Sequence, residues 1–252
     1  LGVLRESGRE LTPLLNPDAG CIFEEGDRLV FIAESHRDTD PESSRTEPGK
    51  RGARHQESLV SQTRHILLLG WSDMVPALVK ELENYTGEEF TVDIFSSIPD
   101  SERRNKMQRF DLEPQRVQVR HLAGDYTVPS DLRRARPESY DNVVILGCDW
   151  LDTHQQADAR TIHGLLLLRE IFAEHKEQPM VLLELLDPDN RELFADSIEE
   201  VLVTPLVLSH MLAHAALRPE LSIIFNHLFG PGGAEIFFRP ASSYGLVHGE
   251  VT

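Results

Sequence analysis

The sequence predicts an α/β fold: a Rossmann-like, doubly wound parallel sheet with helices on both faces, plus a small β-rich N-terminal fragment. From residue 64 onward, short apolar runs alternate with segments of helical spacing. The first run, His65 to Leu69, ends at Gly70 and is followed by an amphipathic segment with apolar residues at Val75, Val79 and Leu82. A buried strand, a glycine turn and a helix form the opening of a nucleotide-binding βαβ unit.

The remaining elements follow in the same alternation. Strands are predicted at His65–Leu69, Phe90–Phe95, Val117–His121, Asn142–Leu146, Met180–Leu185 and Glu200–Val203. Helices are predicted at Met74–Tyr85, Ser101–Phe110, Ser130–Ala135, Thr153–Lys176 and Asp187–Phe194. The strands are apolar along most of their length, which is typical of a parallel sheet that is covered on both faces.

Changes in amino-acid composition along the sequence divide the chain into four parts. Residues 1–35 are β-rich, with strands at Leu11–Leu15 and Arg28–Ala33, and residues 36–63 have the Ser, Arg, Glu, Pro and Gly content of a flexible linker. Residues 64–204 form the Rossmann-like lobe. Residues 205–252 begin with two apolar helices and end with a predicted strand, at Pro205–Ala216, Glu220–Phe229 and Ala234–Arg239.

Composition excludes several classes of protein. The chain has 252 residues, of which 40% are hydrophobic, so it can bury a sizeable core. Its 25 basic and 42 acidic residues give a net charge of −17, which argues against a nucleic-acid partner. The two cysteines, Cys21 and Cys148, suit a reducing compartment. We found no signal peptide and no apolar run near the roughly 20 residues that span a bilayer, and we expect the chain to be a piece of a longer protein.

The order of the loops resembles a known regulatory domain. The loops and helix after the first, third and fourth strands read GWSDMVP, GDYT and DARTIHGLLLLREI. Their order and spacing resemble the RCK (regulator of K+ conductance, TrkA-N-like) domain. A longer stretch resembles the Castor/Pollux ion channels, reading LLELLDPDNRELFADSIEEVLVTPLVLSHMLAHAALRPELSIIFNHLFGPGGAEIFFRPASSYGL. The resemblance covers about residues 64 to 246.

The resemblance implies a gating module and no enzyme. It would lie on the cytoplasmic face of a membrane and control a cation channel or transporter of potassium type by binding a small ligand or ion. Residues 1–35 would end a preceding RCK C-terminal subdomain, and residues 205–252 would supply dimerisation helices and start the next subdomain. The implied partners are other copies of the chain, in a dimer-based ring, and a pore-forming membrane region upstream in the same chain.

Eight residues in the loops after the strands are candidates for ligand binding. They are Gly70, Trp71, Ser72, Asp73, Ser96, Gly124, Asp125 and Thr127. Backbone N–H groups of the first turn would face a phosphate or carboxylate, and Ser72 or Asp73 would cap the helix that follows. A dinucleotide fingerprint needs three glycines and an acid after the second strand. Here Gly70 is the single glycine and Ser96 replaces the acid, so NAD is disfavoured.

Three further features of the sequence each allow two interpretations. Asp125 of the Gly124-Asp125 motif either bonds the Gly70 turn or a ligand, or orders its own loop. Cys148 reads as a small buried thiol rather than a nucleophile, since no histidine base is assigned to it. An acidic cluster could bind Ca²⁺ or could cap a helix, and consists of Asp187, Asp189, Glu192 and Asp196. The cofactor therefore stays unknown, with Ca²⁺ and a nucleotide both open.

Two other functions compete with the gating module. A nucleotide-dependent oxidoreductase would use the same fold, but it needs a catalytic acid or base beside a nicotinamide site and we assign no catalytic residue. A ligand-free lobe that serves ring assembly is the other. The two C-terminal helices are apolar on more than one face, so a second copy or a further subdomain should cover them.

Overall fold

The computed structural model describes residues 2–7, 10–17, 21–22, 24, 26–32, 63–85, 89–110, 116–194 and 199–230. The chain divides into two compact units, one of residues 1–59 with 214–252 and the other of residues 60–213. The predicted linker, apart from Thr63, and the predicted strand Ala234–Arg239 lie outside the described residues.

The first unit contains a small antiparallel sheet. Its order is β2-β1-β3, with bounds β1 Gly2–Ser7, β2 Glu10–Leu15 and β3 Arg28–Val30. Pro13 lies on β2, at the edge of the sheet, where a residue without an N–H breaks no ladder. The sequence did not predict β1, because Val3 and Leu4 are its only adjacent apolar pair. Both are buried, so packing rather than alternation defines this strand.

The second unit is built on a six-stranded sheet in which every pairing is parallel. Its order is β6-β5-β4-β7-β8-β9, with bounds β4 Thr63–Leu69, β5 Glu89–Ser96, β6 Val117–Ala123, β7 Asn142–Ile145, β8 Met180–Leu185 and β9 Glu200–Val203. The chain runs outward from β4 to β6, returns to β7 beside β4, and runs outward again. This reversal creates a switch point between β4 and β7, where ligands of open α/β sheets bind.

Helices cover both faces of the sheet, as the sequence predicts. The helices of this unit are α1 Val75–Asn84, α2 Asp100–Gln108, α3 Pro129–Ala135 and α4 His154–Phe172. Helix α5, Thr204–Leu217, follows β9, and α6, Glu220–Phe229, belongs to the first unit. On one face, Val79 of α1 and Met107 of α2 pack against Leu68 and Ile94. On the other face, Leu132 of α3 and Leu165 of α4 pack against strand residues such as Leu69 and Ile145. The α/β Rossmann-like fold is therefore confirmed.

One predicted helix is wrong in type. Asp187–Phe194 was expected to open a helix, whereas Pro188–Phe194 forms 3-10 turns. Asp187 Oδ1 accepts a hydrogen bond from the backbone N–H of Asp189 at 3.1 Å. Such a local side-chain bond favours a turn over a continuing α-helix. The helix α4 also ends at Phe172, earlier than the predicted Lys176.

A network of polar groups around the buried Asp93 and Arg103 side chains holds β5 and β6 together. Asp93 on β5 accepts two hydrogen bonds from Arg120 on β6, at 2.5 and 2.6 Å, and one from the hydroxyl of Tyr140 at 2.5 Å. The guanidinium of Arg103 on α2 is fully buried and donates to the carbonyl oxygens of Ile94 and Leu122, at 2.7 and 3.1 Å. These bonds tie α2 to the ends of both strands.

None of the helices in the described residues combines the length and the apolar content that crossing a membrane requires.

Candidate functional site

The turn after β4 has a backbone that requires glycine. Gly70 has φ +103°, a conformation that other residues rarely adopt, and a Cβ there would lie 3.1 Å from the carbonyl oxygen of Leu146. Its N–H donates to the carbonyl oxygen of Phe95 at 2.9 Å, which anchors the turn to β5. The turn therefore lies at the switch point, between β5 on one side and the loop after β7 on the other.

The side chains of Trp71 and Ser72 are buried, whereas ligand-binding residues of such a turn are accessible. Both are buried, with 1% and 3% of their surface exposed, and Trp71 packs in the apolar core shared with Val75. Within the described part of the chain, Trp71 Nε1 and Ser72 Oγ have no hydrogen-bond partner. Two unpaired buried polar groups cost free energy, on the order of 1–3 kcal/mol each.

The predicted helix cap is wrong. Helix α1 begins at Val75 with Met74 as its N-cap, and no side chain caps it. Ser72 contributes only its carbonyl oxygen, which accepts from the N–H of Val75 at 3.1 Å. The carboxylate of Asp73 instead pairs with Lys106 Nζ of α2 at 2.6 Å. Pro76, in the first turn of α1, lowers the need for a cap because it has no N–H.

The loop after β7 brings a carboxylate to the same turn. Asp149 Oδ2 accepts a hydrogen bond from the backbone N–H of Asp73 at 2.6 Å. The residue before it, Cys148, is buried and shares a hydrogen bond with the hydroxyl of Tyr126, with 3.7 Å between sulfur and oxygen. Burial raises the pKa of the Cys148 thiol above its usual value, which is the opposite of what an attacking cysteine needs. The prediction of a small buried thiol therefore agrees with its surroundings.

Asp125 orders its own loop and pairs with a residue of α4. Its Oδ1 accepts from the N–H and hydroxyl of Thr127, at 2.9 and 2.7 Å, and from Arg160 Nη2 at 2.5 Å. Burial alone would raise the pKa of Asp125, but the hydrogen bonds from Arg160 and Thr127 hold it below the usual range. Gly124 is required here because a Cβ would lie 2.3 Å from the Phe95 ring.

Arg160 and two aromatic rings complete this region, and none of the three was among the residues that the sequence predicted for the site. The guanidinium carbon lies 5.0 Å from the ring centre of Tyr126 and 5.7 Å from that of Trp150. The ring of Tyr126 is buried and packs so closely on α4 that a Cβ at Gly164 would lie 2.7 Å from it. Cation–π contact and the Asp125 pair together hold α4 against the loops after β6 and β7.

Ser96 does not face the other candidates through its side chain. Its Oγ accepts from the backbone N–H of Ile98 at 3.1 Å and the residue is buried. Its carbonyl oxygen accepts from the N–H of Gly124 at 3.2 Å. The hydroxyl thus orders the turn after β5, in the place where a dinucleotide site would present an acid to the ribose.

Two buried acids lie at the ends of the strands beyond β7. Glu184 on β8 accepts from the N–H of Gly147 at 2.9 Å and from the hydroxyl of Thr204, the first residue of α5, at 2.6 Å. Burial raises the pKa of Glu184 above its usual value. Asp158 on α4 accepts from the N–H groups of Leu186 and Asp187, at 2.8 and 3.0 Å. Asp158 lies in the stretch DARTIHGLLLLREI and Glu184 in the stretch LLELLDPDN, but the sequence alone assigned no role to either acid.

The structure does not group the acidic cluster into a metal site within its described residues. There, no three His, Cys, Asp or Glu side chains are placed to hold a metal ion together. Asp187 bonds Gln155 Nε2 at 3.1 Å and the N–H of Asp189. Glu192 is exposed on the 3-10 turns, and Asp196 lies outside the described residues.

Comparison with known proteins bears out the resemblance to the Castor/Pollux ion channels. The chain is 24% identical to the probable ion channel CASTOR of Oryza sativa subsp. japonica, over 92% of this chain and 30% of that protein. It is 24% identical to the ion channel CASTOR of Lotus japonicus and 23% identical to the probable ion channel POLLUX of Arabidopsis thaliana, again over 92% of this chain. The chain spans about a third of the length of these channels. No protein-family model matches it.

Among solved structures, the human SLO3 gating ring matches 71% of this chain and 31% of its own, with 12% identity and a TM-score of 0.48. An FMN-dependent cysteine decarboxylase from thioviridamide biosynthesis matches 61% of this chain and 98% of its own, with 17% identity and a TM-score of 0.32. At these scores neither match distinguishes one function from another.

Proposed function

We propose that the chain is a non-catalytic regulatory module of a cation channel or transporter, an RCK-type gating domain on the cytoplasmic face of a membrane. The observation that carries the proposal is the similarity to Castor and Pollux ion channels along 92% of the chain. In this proposal the pore lies upstream in the same protein. The module changes ion flux when a small ligand or ion binds the loops at the switch point of its sheet.

The geometry of those loops favours this function over an oxidoreductase. A redox enzyme on this fold would bind a nicotinamide nucleotide at the turn after β4, on small residues and free N–H groups. Trp71 is bulky, and the hydroxyl of Ser96 accepts a hydrogen bond from the backbone N–H of Ile98. Cys148 is buried, and the pKa of its thiol is raised. The groups that would bind and react are therefore committed to structure.

The exposed apolar surface of α5 supports assembly with other copies of the chain. Leu206 packs against the core of the sheet, whereas Val207, Leu208 and Leu212 are 41%, 53% and 69% exposed. A helix that is apolar on its outer side as well as its inner side needs a second partner. A second copy, packed about a two-fold axis, would supply the same residues in return. The net charge of −17 disfavours nucleic acid as that partner.

The experiment compares the full-length protein that contains this chain with a variant of α5. The protein is reconstituted in liposomes, and K+ flux is measured while Ca²⁺ or adenine nucleotide is titrated on the outer, cytoplasmic-facing side. We expect flux that responds to one of these ligands, and a Leu208→Glu, Leu212→Glu double variant that conducts but no longer responds. Ser209→Glu, which adds charge to an exposed position of the same helix, is the matched control.

Three results would contradict the proposal. They are the absence of cation flux, a flux insensitive to every ligand, and a double variant that responds as the parent does. Light scattering on the 252-residue chain gives an independent reading of the assembly step. The parent should be dimeric or larger at tens of micromolar, and the double variant should be monomeric while circular dichroism shows it folded.

A further inference from the structure

The turn after β4 already holds a negative group of the chain itself. In nucleotide-binding sheets, the N–H groups of this turn and the positive end of the following helix face a phosphate. Here the N–H of Asp73 donates to Asp149 Oδ2 at 2.6 Å. Asp149 comes from the loop after β7, the strand beside β4 at the switch point. Its carboxylate therefore has the charge and the hydrogen-bond acceptor that a bound phosphate would bring.

The surrounding charge would repel a phosphate as well. The carboxylate of Asp73 is largely exposed and bonds Lys106 Nζ at 2.6 Å. An anion that approached this turn would meet two carboxylates and one ammonium group. At about 4 Å in water, each like-charge pair costs roughly 1 kcal/mol.

Side chains also fill the space behind the turn. The ring of Tyr126 lies 3.5 Å from where a Cβ of Gly70 would be, and within 3 Å of where a Cβ of Gly164 would be. Tyr126 is 1% exposed, as is Trp71 on the turn itself. A ligand cannot enter between β4 and α4 without moving an aromatic ring. Binding at this turn is therefore limited to its outer surface, where Asp149 lies.

We propose that Asp149 is a specificity-determining residue of the candidate site, whose carboxylate occupies the anion position of the turn and excludes phosphate-bearing ligands. The inference goes beyond the gating function, because it follows from the contact between Asp149 and Asp73 whether or not the module regulates a channel. It assigns the site to neutral or cationic ligands and removes nucleotides from the candidates.

The test titrates inorganic phosphate and ADP into the 252-residue chain and follows the backbone amide signals of Gly70 and Asp73 by NMR. We expect Asp149→Ala to bind both anions about tenfold more tightly than the parent, because one repulsive charge is lost and one N–H is freed. Asp149→Asn, which removes the charge but keeps an acceptor, should gain less. Asp152→Asn makes the same charge change at an exposed residue three positions later and should gain nothing.

A second measurement reports the contact without any ligand. Hydrogen exchange of the Asp73 amide should be faster in Asp149→Ala than in the parent, by about tenfold for the loss of one hydrogen bond. A parent that binds ADP as tightly as the variant overturns the proposal. So does an unchanged anion affinity in Asp149→Ala and Asp149→Asn when either shows the parent's circular dichroism. In both cases the flux experiment can still succeed, so the two proposals fail separately.

Discussion

The two halves of the large sheet stabilise a buried acid with different kinds of hydrogen-bond donor. On the β4–β6 side, Asp93 is 1% exposed and receives three short hydrogen bonds, two of them from a guanidinium. On the β7–β9 side, Glu184 is 3% exposed and accepts from a backbone N–H and a hydroxyl. Opposite charge stabilises an ionised acid, whereas neutral donors only partly offset desolvation. The first half therefore has a brace of opposite charges at Asp93, whereas the acid of the second half, Glu184, should respond to protons.

The largest effect is expected from removing the braced acid. Asp93→Ala takes the acceptor from Arg120 and from the hydroxyl of Tyr140, and it should lower the free energy of unfolding by about 3 kcal/mol. The Arg120 side chain is more than half exposed, so water can solvate it and limit the loss. Urea denaturation at neutral pH measures the change. A loss below about 1 kcal/mol would show that the network does not brace β5 and β6.

A double-mutant cycle sharpens this result. Tyr140→Phe alone removes one donor to Asp93 and should cost about 1 kcal/mol. Combined with Asp93→Ala, it should cost little more than Asp93→Ala alone, because residues of one network are not additive. Strict additivity would mean that the hydroxyl and the carboxylate do not stabilise each other.

The next effect concerns the acid on the other side. Glu184→Ala leaves the buried N–H of Gly147 and the hydroxyl of Thr204 without this acceptor, so it should cost about 2 kcal/mol. Because Thr204 begins α5, amide exchange in the first turn of α5 should also rise. Glu184→Gln keeps an acceptor oxygen and should recover at least half of the loss. An unchanged free energy of unfolding in Glu184→Ala would contradict this link between the loop after β7 and α5. Faster amide exchange throughout the sheet, and not only in α5, would contradict it as well.

The pH dependence of stability tests the buried acid on the β7–β9 side. Burial raises the pKa of Glu184 in the folded chain above its unfolded value of 4.5, so the folded state binds more protons in the window above pH 4.5. Stability should then fall as pH rises from 4.5 through the folded pKa, by at most about 1.4 kcal/mol per pH unit for one group. Glu184→Gln should remove this fall, whereas Asp93→Asn should keep it. If stability depended on pH in the same way in the parent and in Glu184→Gln, a group other than Glu184 would cause the fall.

These contrasts explain which features the sequence could predict. Apolar runs and glycine breaks reveal the strands and their order, because those patterns are local. The loops that gather at the edge of the sheet follow from chain order, so the sequence could place Gly70, Ser96 and Gly124 in turns at that edge, while their role in ligand binding stays a prediction. The pairings were not, since the partners of Asp73 and Asp125 are 76 and 35 residues away, at Asp149 and Arg160. The cap of α1 was misassigned for the same reason, because Lys106 competes for Asp73.

The smallest effect comes from a histidine on the braced side. Burial, and then the charges of Arg103 and Arg104, lower the pKa of His121 below its usual 6.5, although Asp100 opposes them. The unfolded chain therefore binds the proton more readily, so stability should be complete above pH 6.5 and fall as pH drops below it. His121→Gln should flatten that part of the curve. Its slope is opposite to that of Glu184, so in the parent the two partly cancel between pH 4.5 and 6.5. Each single variant should thus reveal the slope of the other group. If His121→Gln instead steepened the fall below pH 6.5, the histidine would be stabilised by its proton and the assignment to burial beside Arg103 would be wrong.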